Sequence, residues 1–242
     1  MEVLVVGAGA MGRWFADAVG AATAFADVDR DAAAAAAEAT GGRVVPLDGD
    51  ETFDAVCIAV PISAGEAAIA EHAPRTERAL VDVTGVMTGP VAAMAEHAPD
   101  RERLSLHPMF APENAPGNVA AVRDAAGPVT DAIVEDLAAA GNDLCETTPA
   151  EHDEAMETVQ ASAHAAVLAF ALAAGDVPEG LTTPVYEDLA AIADQVTGNE
   201  PQVYAEIQST FDGADAVAEA AARLADADGD AFEALYREAS ER

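Results

Sequence analysis

Residues 1–12 read MEVLVVGAGAMG, and this stretch decides the fold of the N-terminal half of the chain. The apolar, β-branched run EVLVV predicts a buried strand, and Gly7, Gly9 and Gly12 follow it directly as a GxGxxG pattern. In such a unit the first glycine permits a tight turn, the second lets a pyrophosphate approach the backbone, and the third lets helix and strand pack closely. The stretch therefore predicts a dinucleotide site at the N-terminus of a helix.

An acidic residue stands where such a site holds the ribose. Asp27 follows a second predicted strand, residues 22–26, and lies twenty positions after Gly7. A carboxylate there accepts a hydrogen bond from the ribose 2′-hydroxyl and repels a 2′-phosphate, which favours NAD over NADP, although the nearby Arg30 could weaken that preference. The residues predicted to bind the cofactor are Gly7, Gly9, Ala10, Met11, Gly12, Asp27, Arg30, Val60 and Pro61.

Val60 and Pro61 follow the predicted fourth strand at its carboxyl end, where the cofactor crevice opens in this fold. Two interpretations stay open at this point. The segment contacts the cofactor, or Pro61 simply ends the strand.

The rest of the chain falls into two regions of different character. Strands are predicted at residues 2–6, 22–26, 43–46, 54–60, 79–83 and 103–106, alternating with Ala-rich helices, and 142–148 is a final edge strand or linker. After that, helices are predicted at 151–174, 185–194, 202–211 and 214–241. Strands that alternate with helices indicate a doubly wound, mostly parallel sheet. We predict an α/β chain with an NAD-binding Rossmann domain over 1–148 and a helical substrate and dimerisation domain over 149–242.

The charge balance excludes one class of partner. The 242 residues include 44 acidic and 11 basic side chains, all of the basic ones Arg, for a net charge of −33. Binding to nucleic acid through phosphate contacts is not expected at this charge. A nucleic-acid mimic or a cation-binding protein would also be acidic, but the acids are scattered, which favours a solvated surface adapted to a very salty cytoplasm, as in an extreme halophile.

Cysteine use and hydropathy indicate a cytoplasmic protein. Cys57 and Cys145 lie far apart without metal-ligand spacing, as expected of two structural thiols in a reducing compartment. The chain opens on a predicted strand, so we expect no signal peptide and no uncharged apolar run of membrane-spanning length. We therefore expect no metal, nucleic-acid or membrane partner, only a small-molecule substrate and a second copy of the chain.

A histidine is the strongest catalytic candidate. The segment Leu106–Pro112 reads LHPMFAP and places His107 at the carboxyl end of a predicted strand, held by the following proline. Histidine is the side chain best suited to take a proton from a hydroxyl near neutral pH. On position alone, a structural role for this ring is equally open.

Five stretches together resemble the prephenate dehydrogenases of tyrosine biosynthesis. They are LHPMFAP, GAGAMGRWF, VDVTGVMTGPVAAM, HDEAMETVQASAH and PVYEDLAAIADQVTGNEPQVYAEI, which occur in the order typical of that family over roughly residues 1–210. The resemblance implies an NAD-dependent oxidative decarboxylation of prephenate to 4-hydroxyphenylpyruvate.

The resemblance also assigns roles to single residues. It implies that His107 binds the C4 hydroxyl and draws off its proton, and that His164 in the second domain contacts substrate. Without the resemblance, a structural ring on the buried face of an Ala-rich helix is the alternative interpretation of His164. His152 and Asp153 lie at the start of that helix, and we interpret them as capping or surface residues.

The chain departs from the family pattern at three positions. Gly85 stands where the family has a serine that helps to hold the catalytic histidine, and the adjacent Thr84 is our candidate to supply a hydroxyl. Met87 replaces a lysine. Gln195 takes the place of the arginine that grips a substrate carboxylate and offers only a neutral amide. The other candidates to bind that carboxylate are Arg123, or Arg237 from a second subunit.

Three alternatives remain open from the sequence. Arogenate is a possible substrate in place of prephenate. A different two-domain hydroxyacid or imine oxidoreductase would share both domains, but most such enzymes use a catalytic lysine and this chain has none. A non-catalytic dinucleotide-sensing protein would explain Gly85 and Gln195, but it would have no need of His107 and His164.

Overall fold

A computed structural model of the chain describes residues 1–178 and 180–241. The chain divides into two compact units, Met1–Asp153 and Glu154–Arg242. Within the described residues, the first unit holds an eight-stranded sheet. Its strands are β1 Glu2–Val6, β2 Ala22–Ala26, β3 Arg43–Val44, β4 Phe53–Ile58, β5 Thr76–Asp82, β6 Glu102–Pro108, β7 Asn118–Ala125 and β8 Asp143–Glu146.

The strand order is β3-β2-β1-β4-β5-β6-β7-β8. Neighbours from β3 to β6 pair in parallel, β7 is antiparallel to β6, and β8 is parallel to β7. The order reverses between β1 and β4, and the carboxyl ends of these strands form the crevice in which such sheets bind ligands. The predicted Rossmann fold with a mostly parallel sheet is confirmed.

Among the described residues, five α-helices lie wholly within this unit. They are α1 Ala10–Ala18, α2 Arg30–Thr40, α3 Gly65–His72, α4 Thr88–His97 and α5 Pro128–Ala139 within the described residues. Apolar cores lie on both faces of the sheet, one around Phe15 and Phe25 and the other around Phe53 and Leu80. Because helices cover both faces, the central strands carry nearly continuous apolar runs instead of alternating ones.

Two elements near the end of this unit are absent from the sequence prediction. β7 has the sequence NVAAVRDA, and α5 follows it directly. Alanine is depleted in strands, so local composition gives β7 little signal. Its strand conformation depends on antiparallel pairing with β6, where Ala120 faces His107 and Val119 faces Pro108.

The second unit is helical. Helix α6, Pro149–Met156, begins before the boundary at Asp153 and continues through a π-helical turn, Glu157–Ser162, into α7, Ala163–Ala173. The remaining helices are α8 Pro184–Thr197, α9 Pro201–Thr210, α10 Gly213–Asp226 and α11 Gly229–Ser240. The single helix predicted over 214–241 is wrong. The side chain of Asp228 accepts from the backbone N–H of Ala231 and so starts a new helix.

The expectation about membrane-spanning length is also wrong. Among the described residues, one helical segment, Pro149–Ala173, has the length and composition to cross a membrane. A single segment of this kind is weak support for a membrane location and does not place the chain in one.

Candidate active site

The glycine turn after β1 has the geometry that its sequence predicts. Gly7 has φ +101°, and a Cβ there would overlap the carbonyl oxygen of Ala59. A Cβ on Gly12 would overlap the carbonyl oxygen of Gly7, so helix and strand touch at this position. A Cβ on Gly9 would meet no atom within 4 Å. The turn therefore leaves open space directly in front of the first amides of α1, where a phosphate binds in such folds.

Asp27 completes this end of the site. Its Oδ2 accepts from the backbone N–H of Ala8 at 2.6 Å, and its Oδ1 accepts from that of Asp29 at 2.8 Å. A carboxylate has about four lone-pair positions, so both oxygens keep capacity for ribose hydroxyls. A cavity of about 460 Å³ adjoins it, lined by Asp27, Val28, Arg30, Ala33, residues 44–48 and Glu71. These residues fit a dinucleotide.

His107 lies near the carboxyl end of β6 and is 7% exposed. Its Nδ1 is 2.8 Å from Nε2 of His152, and the two rings meet edge to face with centroids 5.0 Å apart. His152 is only 3% exposed. Its interpretation as a capping or surface residue is wrong, because the start of α6 places the ring against the β6 histidine.

Asp153 is the third member of the cluster. Its Oδ1 is 2.8 Å from Nδ1 of His152 and also accepts from the backbone N–H of Met87 at 3.0 Å. Its Oδ2 accepts from the backbone N–H of Thr88 at 2.9 Å. Burial opposes ionisation, but the hydrogen bonds outweigh it and lower the pKa of Asp153 to about 2. The group is therefore a carboxylate, and it joins α6 to the start of α4.

The surroundings keep the His107 ring neutral. Burial is the main cause that lowers the pKa of His107 to about 3, and a positive charge on His152 acts in the same direction. The Asp153 carboxylate opposes this shift. A histidine that is neutral at pH 7 can accept a proton from a ligand, whereas an imidazolium cannot. The electrostatics therefore support the basic form of this side chain.

The loop between β5 and α4 runs against the same ring. Gly85 has φ +92°, and a Cβ there would lie 3.4 Å from Nε2 of His107. The hydroxyl of Thr84 donates to Oδ1 of Asp82 at 2.8 Å. Met87 is fully buried beside Ala120. This loop supplies close packing around the histidine where the family pattern has a serine and a lysine.

Asp82 is a buried acid directly beneath this loop. It is fully buried at the end of β5, in register with Ser105 of β6. Its Oδ1 accepts from the backbone N–H of Thr84 at 3.2 Å as well as from the Thr84 hydroxyl. Burial raises its pKa to about 6, although the hydroxyls of Ser105 and Thr84 and the charge of His152 act in the opposite direction.

This acid predicts a pH-dependent stability. The pKa of Asp82 rises from 3.8 to about 6 on folding, so the folded chain binds the proton more tightly and loses stability as the pH rises across that window. Asp82→Asn removes the buried charge, and we expect it to raise the free energy of unfolding above pH 6 by up to about 3 kcal/mol. The gain should vanish below the unfolded pKa. Denaturant titrations against pH would measure it, with Asp100→Asn on the surface as the control. A constant difference at all pH values would contradict this origin.

The second unit carries the other predicted site residues. His164 lies on α7, half-buried, with its ring 4.8 Å from that of Tyr204, and burial lowers its pKa. Gln195 is exposed on α8. Of the two candidate arginines, Arg123 in the first unit is ion-paired with Asp131 and Glu146, and Arg237 with Glu233.

The fold and the glycine turn define a Rossmann-type nucleotide-binding protein. The family model described as prephenate dehydrogenase, nucleotide-binding domain, matches residues 20–125. The chain is 33% identical over 246 aligned positions to 4-amino-4-deoxyprephenate dehydrogenase of Streptomyces pristinaespiralis, covering 91% of this chain and 81% of that protein. The chain belongs to the prephenate dehydrogenase family.

Further relatives agree with this placement. The T-protein of Enterobacter agglomerans is 30% identical over 162 residues, which are 63% of this chain and 43% of that protein. Prephenate dehydrogenase from A. aeolicus, solved with hydroxyphenyl propionate and NAD+, has a TM-score of 0.73 at 15% identity and covers 100% of this chain and 92% of its own. Synechocystis arogenate dehydrogenase has a TM-score of 0.64 at 16% identity, covering 100% and 98%. The structural likeness is one of fold.

Proposed function

We propose that this protein is an NAD-dependent prephenate dehydrogenase, which oxidatively decarboxylates prephenate to 4-hydroxyphenylpyruvate. The observation that carries the proposal is the neutral, buried imidazole of His107 at the carboxyl end of β6. It lies in the same unit as an open glycine turn, in a chain of the prephenate dehydrogenase family.

The proposed chemistry needs a proton acceptor at the hydroxyl and a hydride acceptor at C4. NAD, bound at the glycine turn, supplies the hydride acceptor. His107 accepts the hydrogen bond of the C4 hydroxyl and takes its proton as hydride departs, which prevents positive charge from building up on the oxygen. Loss of CO2 then returns electrons to the ring, and the phenolate oxygen takes the proton back.

NAD is the proposed cofactor in preference to NADP. The proposal is supported by the Asp27 carboxylate, which would repel a 2′-phosphate and is held by the backbone N–H groups of Ala8 and Asp29. Arg30 lines the same cavity and offers the only compensating charge among its lining residues. The remaining predicted contacts, Ala10, Met11, Val60 and Pro61, belong to the same proposal.

A second substrate is favoured by a specific observation. The relative from Streptomyces pristinaespiralis is named for 4-amino-4-deoxyprephenate, which differs at the C4 substituent. Gly85, beside Nε2 of His107, lacks the hydroxyl that the family pattern places there. An amino group at C4 presents different hydrogen-bond donors from a hydroxyl. Gly85 is therefore the position that would discriminate between the two substrates. Arogenate, altered in the side chain, is a third candidate.

The substrate carboxylates need partners of their own, because burying an unpaired carboxylate is costly. We keep His164 and Gln195 of the second unit as substrate contacts. For the missing arginine we propose Arg237 of a second subunit, since Arg123 is held between two carboxylates whereas Arg237 has one exposed partner, Glu233.

We further propose a homodimer in the cytoplasm of a halophile. The helical unit exposes large apolar side chains that a second copy would cover, and Leu172 is 88% exposed. Others are Leu181, Val185, Val203, Phe232 and Tyr236. At about 1 M salt the screening length is only ~3 Å, which suppresses the self-repulsion of a chain with net charge −33.

The deciding experiment is NADH formation by the full chain in molar KCl, with a panel of substrates and both cofactors. We expect turnover with prephenate and a higher kcat/KM with NAD than with NADP. Arogenate and 4-amino-4-deoxyprephenate are offered in parallel. A kcat/KM at least tenfold higher for the amino compound would make the second candidate the function. No turnover with any of the three, despite NAD binding, would overturn the proposal.

A further inference from the structure

Three side chains form an unbroken hydrogen-bonded line that ends at the proposed base. Asp153 Oδ1 lies 2.8 Å from His152 Nδ1, and His152 Nε2 lies 2.8 Å from His107 Nδ1. His152 therefore uses both of its ring nitrogens in this line, and His107 contributes its Nδ1. The Nε2 of His107 is the nitrogen at the far end, beside Gly85.

The positions of the protons follow from the acceptor at the start of the line. Asp153 already accepts from the backbone N–H groups of Met87 and Thr88, and only a carboxylate does so with both oxygens. His152 Nδ1 must then carry a hydrogen. With both rings neutral, His152 Nε2 is an acceptor, so the proton between the two rings belongs to His107 Nδ1. The lone pair of His107 is thereby placed on Nε2.

We propose that His152 and Asp153 are positioning residues that hold His107 as its Nδ1–H tautomer and receive the proton it passes on. The inference rests on the proposed function. When His107 Nε2 takes the hydroxyl proton, the Nδ1 proton crosses to His152 Nε2. The positive charge then resides on His152, hydrogen-bonded to the Asp153 carboxylate, and the buried His107 ring ends neutral.

The transfer is balanced over the reaction. One proton leaves the substrate oxygen and one proton arrives at His152, while every bond within the line keeps one hydrogen. When decarboxylation leaves a phenolate, the two protons move back and the oxygen regains its hydrogen. No net proton is released, and both rings end the reaction in their starting protonation states.

The charges around His107 and His152 favour placing the positive charge on His152. Burial makes a cation on His107 costly, which is why its pKa is lowered to about 3. His152 is hydrogen-bonded to Asp153 of its own helix, and its charge acts on the carboxyl of Asp82 at the end of β5. The other function open to Asp153 is purely structural, since it also caps the start of α4.

Imidazole nitrogen NMR of the full, substrate-free chain tests the tautomer directly. We expect His107 to show a protonated Nδ1 and an unprotonated Nε2. Signals are assigned by loss in His107→Asn and His152→Gln. A His107 ring protonated at Nε2 would overturn the proposal whatever the enzyme's substrate.

Two variants separate positioning from proton reception. In Asp153→Asn the amide nitrogen can turn toward His152 and donate, which reverses both rings and protonates His107 Nε2. In His152→Gln the side-chain Oε1 can still accept from His107 Nδ1, so the tautomer stays but the proton cannot pass on. We expect both to lower kcat by about 10²-fold, and only Asp153→Asn to change the NMR tautomer.

The pH profile provides the readout that a structural cap would not move. His152 lowers the pKa of His107, so in His152→Gln the acid limb of kcat/KM should move to higher pH. Melting temperature and NAD affinity report folding in each variant. A lower melting temperature with unchanged kcat, pH profile and tautomer would assign His152 and Asp153 to structure alone.

Discussion

Replacing His107 by Asn should lower kcat by about 10³-fold, the range expected for loss of a general base, while NAD binds as before. The amide of Asn can still donate to His152 Nε2, so the line of hydrogen bonds keeps its anchor. It has no basic nitrogen at the position of Nε2, beside Gly85, where the substrate proton would be received. Initial rates of NADH formation with prephenate, and NAD binding by calorimetry, measure the two quantities separately.

The matched control is His97→Asn, an exposed histidine at the end of α4. Its activity should equal that of the wild type. A His107→Asn enzyme that keeps more than a tenth of the wild-type kcat would mean that another group takes the proton, and the assignment of the base would be wrong.

The nucleotide-binding end of the site can be predicted from the sequence because the residues that form it lie close together in the chain. Gly7, Gly9 and Gly12 act within one strand–turn–helix unit, and Asp27 follows at a spacing set by the length of α1 and β2. Each of these residues needs only its near neighbours in the chain to adopt its position. Local spacing therefore determined both the fold of this end and the placement of the carboxylate.

The catalytic end depends on contacts between distant segments. His107 and His152 are separated by 45 positions, and Met87 and Asp153 by 66. No local pattern marks such a contact, although the adjacent His152 and Asp153 at a helix start could have been considered as a hydrogen-bonded pair. The role of Thr84 as the source of a hydroxyl stays a prediction; in the structure this hydroxyl donates to the buried Asp82.

Replacing Gly9 by Val should strongly weaken cofactor binding without unfolding the chain. Gly9 has φ −67° and ψ −170°, a conformation open to any residue, and a Cβ there meets nothing within 4 Å. The side chain would fill the space in front of the α1 amides, where the pyrophosphate has to approach. We expect NAD affinity to fall about 100-fold or more, equivalent to about 2.7 kcal/mol. Melting temperature should stay within a degree or so of the wild type, as for surface changes in general.

The same substitution at Gly7 gives the opposite pattern and serves as the comparison. Gly7 has φ +101°, and its Cβ would overlap the carbonyl oxygen of Ala59. Gly7→Val should therefore cost about 3 kcal/mol of folding free energy or more, because strain and overlap add. Calorimetric NAD titration together with thermal unfolding distinguishes the two variants. If Gly9→Val binds NAD with wild-type affinity, the dinucleotide does not bind at this turn, and the chemistry assigned to His107 would lose its hydride acceptor.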